Sequence, residues 1–175
     1  MDLKDYIRSI KDYPKKGILF RDITTLIKSE AAFEEAINQI IEKSKKFKVD
    51  KIAAIESRGF VFASAVSYML KKPFILLRKK NKLPADVHSV DFQLEYGTAT
   101  IEVHKDSIDT NDSVLIIDDL IATGGTAEAA AKLVELSKGN VAAFIFVINL
   151  FDLGGCDNLL KKGYKVENLM DFPGH

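Results

Sequence analysis

Cysteine is nearly absent from this chain: Cys156 stands alone among 175 residues, so no internal disulfide can form. The N-terminal stretch MDLKDYIRSIKDY is charged and amphipathic and lacks the apolar core of a secretory signal, which together with the lone cysteine predicts a cytoplasmic protein. An excess of one charge is missing too. Lys plus Arg and Asp plus Glu number 25 each, so no global field selects nucleic acid or an anionic membrane, and neither is expected as a partner. The longest apolar run, residues 141–148 (VAAFIFVI), is far too short for a bilayer and reads as a central strand. His88, His104 and His175 stand at no ligand spacing with Cys156, which argues against a protein-bound transition metal. No internal repeat or low-complexity segment is present. What remains is a chain 47% hydrophobic, which excludes disorder, and long enough for one ordinary core, so residues 1–175 are expected to form a single domain.

The pattern alternates. Leu3, Tyr6, Ile7 and Ile10 at helical spacing predict a helix over 2–10, ended by the Tyr13-Pro14 turn, with a short ILFRDIT segment after it. Residues 31–47 carry Phe33, Ile37, Ile40 and Ile41 on one face and predict an amphipathic helix. Strand 52–55, helix 60–70 and strand 73–77 follow, and the alternation argues for βαβ units around a parallel sheet of about five strands. Residues 78–91 then break the rhythm as a long, cationic loop of the kind that serves as a lid. Segments 92–96 and 99–104 predict a hairpin around Gly97. Beyond them come strand 114–117, a helix over 127–136, strand 141–149, a Gly154-Gly155 turn, a short helix to Lys162 and a last strand over 164–170.

The chain is organised around VLIIDDLIATGGT, residues 114–126. A buried strand ends in Asp118 and Asp119, and a Gly-rich turn leads into a helix. Such a loop lies at the carboxyl end of a strand, where its backbone N–H groups and the helix dipole favour an anion. Gly124 and Gly125 allow close approach to a phosphate, and the hydroxyls of Thr123 and Thr126 can donate to it. The carboxylates only accept, so they suit a diol such as the ribose hydroxyls, or a metal reached through water. No Lys follows the glycines, which excludes the nucleoside-triphosphatase P-loop. An anion cradle beside a carboxylate pair points to a sugar phosphate.

Glu56-Ser57-Arg58-Gly59 also follows a strand and opens a helix. It reads either as a second anion loop or as a plain Glu56 to Arg58 ion pair. The run Arg78, Lys79, Lys80, Lys82 is either a solvated loop or a set of cations that hold a multiply charged group under a lid. Glu95 in the hairpin, taken alone, is a surface charge.

The segment from Ile116 to Thr126 resembles the phosphoribosyl pyrophosphate signature of the type I phosphoribosyltransferases. ESRGF, LEYG, YPKKGILFRDIT, LFDLGG and DFPGH are similar to segments of the adenine-specific members, bacterial ones in particular, so the resemblance spans nearly the whole chain. It implies the single-domain type I phosphoribosyltransferase fold, an α/β architecture with a central mostly parallel sheet flanked by helices, an N-terminal hood at about residues 1–27 and a flexible lid hairpin at about 78–98. The implied reaction is purine salvage: phosphoribosyl pyrophosphate and adenine give AMP and pyrophosphate through N9. Ala122, Thr123, Gly124, Gly125 and Thr126 would hold the 5′-phosphate, and Asp118 and Asp119 the ribose. Glu56, Ser57, Arg58, Gly59, Lys79 and Lys82 would receive pyrophosphate, with Arg78 near a subunit interface. Adenine would lie against Leu19, Phe20 and Leu150, its edge read by backbone near Leu19 and Arg21. Glu95, beside Tyr96 on the lid, would be catalytic, accepting a purine proton or stabilising positive charge on the ribose. Magnesium is expected on the substrate's phosphates rather than on the protein, and a homodimer is implied. A phosphoribosyltransferase for another base would keep the signature and change the hood. A non-catalytic regulator of the same fold would sense phosphoribosyl pyrophosphate but bring a DNA-binding addition, and a phosphate-accepting receiver domain would leave Thr-Gly-Gly-Thr without a purpose.

Overall fold

A computed structural model describes residues 1–94 and 96–175. The chain opens with a 3-10 turn (Leu3–Tyr6), an antiparallel pair formed by β1 (Arg8–Lys11) and β2 (Leu19–Asp22), and two helices, α1 (Thr24–Lys28) and α2 (Glu30–Ser44). Then come β3 (Lys51–Ile55), α3 (Arg58–Leu70), β4 (Phe74–Lys79), β5 (Val87–Leu94), β6 (Gly97–His104) and β7 (Ser113–Ile121). α4 (Gly125–Leu136), β8 (Asn140–Leu150), α5 (Gly155–Lys161) and β9 (Val166–Phe172) complete it. Seven strands form one sheet in the order β5-β6-β4-β3-β7-β8-β9. The five from β4 to β9 in that order are parallel, and β6 and β5 add an antiparallel hairpin at one edge.

The inner strands read as continuous apolar runs because both of their faces are covered. Alternate residues serve two cores. Leu115 and Ile117 of β7 join Ile52, Ala54, Phe62 and Ile145 beneath α2 and α3, while Val114 and Ile116 join Ala53, Ile55, Leu133 and Phe144 beneath α4 and the hairpin. Each core buries its side chains almost completely, at roughly 25 cal/mol per Å² of apolar surface removed from water. Among the described residues no helix is long and apolar enough to cross a membrane.

Two stretches differ from the sequence reading. Residues 2–10 form only one 3-10 turn and then strand β1, because Arg8 pairs with the buried Asp22 of β2 at 2.6 Å and β-branched Ile7 and Ile10 favour extended backbone over a helix with no partner on its polar side. The long loop expected over 78–91 is much shorter. Arg78 and Lys79 end β4, and β5 begins at Val87, held by cross-strand pairing that periodicity within one segment cannot reveal.

Chain order places the site. From β3 the connection through α3 leads to β4 on one side, and from β7 the connection through α4 leads to β8 on the other. β3 and β7 are therefore neighbours whose chains leave in opposite directions, which opens a crevice at their carboxyl ends.

Candidate active site

A cavity of about 660 Å³ occupies that crevice. Glu56, Ser57 and Arg58 line it from the end of β3, Asp118 and Asp119 from β7, Ala122, Thr123, Gly124, Gly125 and Thr126 from the following loop, and Lys79 from β4. Phe92 and Leu94 of the hairpin add apolar wall.

The loop after β7 is shaped by glycine. Gly124 caps α4 at φ +93°, and its carbonyl takes the N–H of Glu128 at 2.9 Å, so the N–H groups of Gly125, Thr126 and Ala127 begin the helix without an intrahelical acceptor. Behind the loop, the Gly155 N–H donates to the Ala122 carbonyl at 3.1 Å. A Cβ on Gly155 would sit 2.5 Å from that same oxygen and 2.8 Å from Ile121, so only glycine lets the two loops touch. In front, Gln93 O and the Phe92 ring lie 3.6 and 3.9 Å from where a Cβ on Gly125 would stand, so β5 crosses directly over the loop.

Asp119 is buried, and its Oδ2 receives Arg58 Nε at 2.7 Å. Asp118 Oδ1 accepts the Asp119 N–H at 2.8 Å. Burial, then the adjacent Asp119 carboxylate, push the Asp118 carboxyl well above the usual carboxylate range, against weaker lowering by that N–H and by Arg58. Gly59 opens the first turn of α3 and is buried against the pair: a Cβ there would meet Asp118 Oδ1 at 2.8 Å. The ion pair considered between Glu56 and Arg58 does not form. Arg58 turns to Asp119, and Glu56 turns to the end of β4, accepting the Lys79 N–H at 2.6 Å and Arg78 at 3.4 Å. Burial raises the Glu56 carboxyl, but those hydrogen bonds and the two cationic charges outweigh it, and the net shift is downward. Lys82 is exposed beyond a tight turn closed by its N–H on the Lys79 carbonyl at 3.3 Å, away from the cavity wall.

The N-terminal pair stands at the rim. Leu19 and Phe20 are half-buried on β2, Tyr13 packs edge-on to Phe20 at 5.1 Å, and Phe20 lies 5.8 Å from the Arg58 guanidinium. Leu150 is buried in the core at the end of β8, and Arg21 extends its side chain away from the cavity toward Pro173. Tyr96, at the hairpin tip, is exposed and receives Lys15 Nζ over its ring at 4.6 Å, so strand pair and hairpin tip meet across the opening. Glu95 lies outside the described residues.

The phosphoribosyl transferase domain pattern matches residues 21–165. The chain belongs to the phosphoribosyltransferase family. A protein of Pelagibacter ubique described as adenine phosphoribosyltransferase is 85% identical over 100% of both chains, which sets this member among the adenine phosphoribosyltransferases. The solved adenine phosphoribosyltransferase of Thermoanaerobacter pseudethanolicus is 44% identical, with a TM-score of 0.93 over 97% of this chain and 98% of that one. The Saccharomyces cerevisiae enzyme, solved with an imino-altritol bisphosphate and adenine, is 33% identical, with a TM-score of 0.88 over 96% of each. The type I phosphoribosyltransferase fold expected from the signature is therefore the fold observed.

Two features of this phosphoribosyltransferase escaped the sequence reading. Gly155 was legible as a turn but not as the support of a loop more than thirty positions earlier, a relation only the β8 to α5 turn creates. Glu102 of β6 is buried, accepts the Asn81 N–H at 2.9 Å and the Ser89 hydroxyl, and so ties the turn after β4 to the hairpin. Ile101 and Val103 on either side of it are buried apolar residues, and strand alternation gives the Glu102 between them no reason to be buried. For a divalent cation the cavity offers the adjacent carboxylates Asp118 and Asp119, suited to accepting from metal-bound water; among the described residues no cluster of three or more His, Cys, Asp or Glu side chains is poised as a protein metal site.

Proposed function

We propose that this chain transfers the phosphoribosyl group of phosphoribosyl pyrophosphate to N9 of adenine, giving AMP and pyrophosphate, as a purine salvage enzyme. The observation that carries the reading is the placement of two helix starts, α3 and α4, on either side of the Asp118 and Asp119 pair in one cavity. That spacing suits a ribose between two phosphate-bearing ends.

The 5′-phosphate is received by the N–H groups and hydroxyls of Ala122, Thr123, Gly124, Gly125 and Thr126. Asp118 and Asp119 take the ribose hydroxyls, with Arg58 holding Asp119 in place. Pyrophosphate is met by Ser57, Gly59 and Lys79, with Glu56 positioning Lys79 and Lys82 supplying charge from the adjoining turn. The bond from C1 to the pyrophosphate oxygen breaks, its electron pair leaving with pyrophosphate, while N9 supplies the pair for the new bond and its proton passes to a base. Glu95 is assigned to that step from the family resemblance. Magnesium would be held by the substrate's phosphates, with Asp118 and Asp119 accepting from its bound water, and would supply charge neutralisation for the departing pyrophosphate. Leu19, Phe20 and Leu150 are assigned to the base, with Tyr96 covering the opening. We assign the reaction to the cytoplasm, and the enzyme to a homodimer built on the exposed apolar side chains Val61, Tyr68 and Met69 of α3 with Leu76 of β4.

The test offers adenine, hypoxanthine, guanine, xanthine, uracil and orotate separately with phosphoribosyl pyrophosphate and magnesium. AMP from adenine, abolished by chelation, is the expected result. Turnover of another base alone overturns the base assignment, and binding of phosphoribosyl pyrophosphate without any product overturns the enzymatic one.

A further inference from the structure

DFPGH, the last segment of the chain, takes no part in the chemistry assigned above, yet it is bonded on both sides. Arg21, on β2, stacks its guanidinium on the Phe172 ring at 4.6 Å and donates to the Pro173 carbonyl at 3.1 Å and to Ser9 Oγ at 2.6 Å. Arg21 Nε is buried without a partner among the described residues, so these contacts carry the compensation for its desolvation. Lys4 places its ammonium 5.4 Å from the centre of the same ring. On the other side the Gly174 N–H donates to Asp152 Oδ1 at 2.6 Å. A Cβ on Gly174 would lie 2.7 Å from that oxygen and 2.7 Å from Leu153 Cγ, so a side chain there forces the segment off its support. Asp152 belongs to the turn between β8 and α5, the same turn whose Gly155 supports the phosphate loop through Ala122.

We propose that Arg21 and the Phe172–Pro173–Gly174 segment form a clamp that sets strand β2 against the active site, so that Arg21 is a positioning residue for the base. The β8 to α5 turn is its fixed point. One side of that turn carries the phosphate loop and the other, through Gly174, Pro173 and Arg21, carries the strand assigned to the base. The register between the two halves of the active site therefore runs through contacts that lie outside the signature at every link but the Ala122 carbonyl. The inference rests on the reading that Leu19 and Phe20 of β2 wall the base site.

Steady-state kinetics of Arg21→Met, Arg21→Lys, Gly174→Ala and the double variant Arg21→Met with Gly174→Ala test the clamp. Loss of it raises KM for adenine about tenfold, the equivalent of one charge-assisted hydrogen bond, with KM for phosphoribosyl pyrophosphate and kcat within about twofold of the parent. The double variant is no worse than the more severe single one, because both act through one contact path. Arg21→Lys recovers part of the loss, since an ammonium reaches Pro173 or the Phe172 ring but not both as the planar fork does. Asp152→Asn, which keeps the shape at Gly174 and removes the charge, is the milder variant should the others melt below assay temperature; about a threefold rise in KM for adenine is expected. An unchanged KM for adenine overturns the proposal. So does a joint rise of both KM values with a fall in Tm, which marks general damage. Turnover of another base by the parent overturns the adenine reading, and the same comparison is then made on that base's KM, which keeps the two failures apart.

Discussion

Asp118 and Glu56 face one cavity with opposite electrostatics. The raised Asp118 carboxyl leaves stability intact below the ordinary Asp pKa of about 3.9 and removes it as pH climbs through the folded value, because the unfolded chain ionises first. Asp118→Asn therefore raises the urea midpoint at pH 7.5, by an amount that shrinks below about pH 4, while it raises KM for phosphoribosyl pyrophosphate roughly tenfold through the lost ribose contact. A midpoint gain that persists at low pH argues against the ionisation account. Glu56 runs the other way. Its lowered carboxyl contributes stability above the ordinary Glu pKa of about 4.3, and that contribution fades as pH falls through the folded value. Glu56→Gln accordingly costs about 1 to 2 kcal/mol at pH 7 and progressively less as pH falls below the ordinary Glu range, read as urea midpoints across a pH series. At this scale the sequence brought these residue types to one site but not into their pairs. Arg58, two positions along, is the partner the sequence suggests for Glu56, and Arg78 takes its place because parallel pairing of β3 with β4 brings the Glu56 carboxylate to the end of β4.

The decisive element is the strand, loop and helix of β7 and α4, and its shape depends on a second turn. Gly155→Ala drives a Cβ onto the Ala122 carbonyl, and overpacking of that kind costs about 1 to 3 kcal/mol. The displaced loop raises KM for phosphoribosyl pyrophosphate by roughly 5- to 150-fold with a much smaller change in KM for adenine; equal changes in both would count against a local support role. Glu95→Ala lowers kcat more than it raises either KM if Glu95 acts only as the reaction proceeds, and single-turnover rates separate that from slow product release. Helix α4 and strands β3, β7 and β8 were legible because buried periodicity and the Thr-Gly-Gly-Thr turn are local signals. β1 and residues 87–91 of β5 were not, since each is a strand only through a partner, Asp22 and its neighbours for one and β6 for the other.

At the scale of the molecule, the outer face of α3 shows Tyr68 at 83% and Met69 at 58% exposure, beside Leu76 at 40%. Such a patch is costly to leave in water, and pairing through it gives light scattering at twice the chain mass, reduced to the single mass by Tyr68→Glu with the fold retained. A parent that already runs at the single mass refutes that interface. The order of apolar strands and amphipathic helices, and a Gly-rich turn after paired aspartates, specified an α/β sheet with a sugar-phosphate loop, because those features depend on contacts within a few positions. The crevice between β3 and β7, the burial of Glu102, the Gly155 support and the bond from Arg21 to Pro173 arise only when distant segments meet. Strand order and backbone proximity are properties of the folded chain, and pairing, desolvation and the room available for a Cβ are set there.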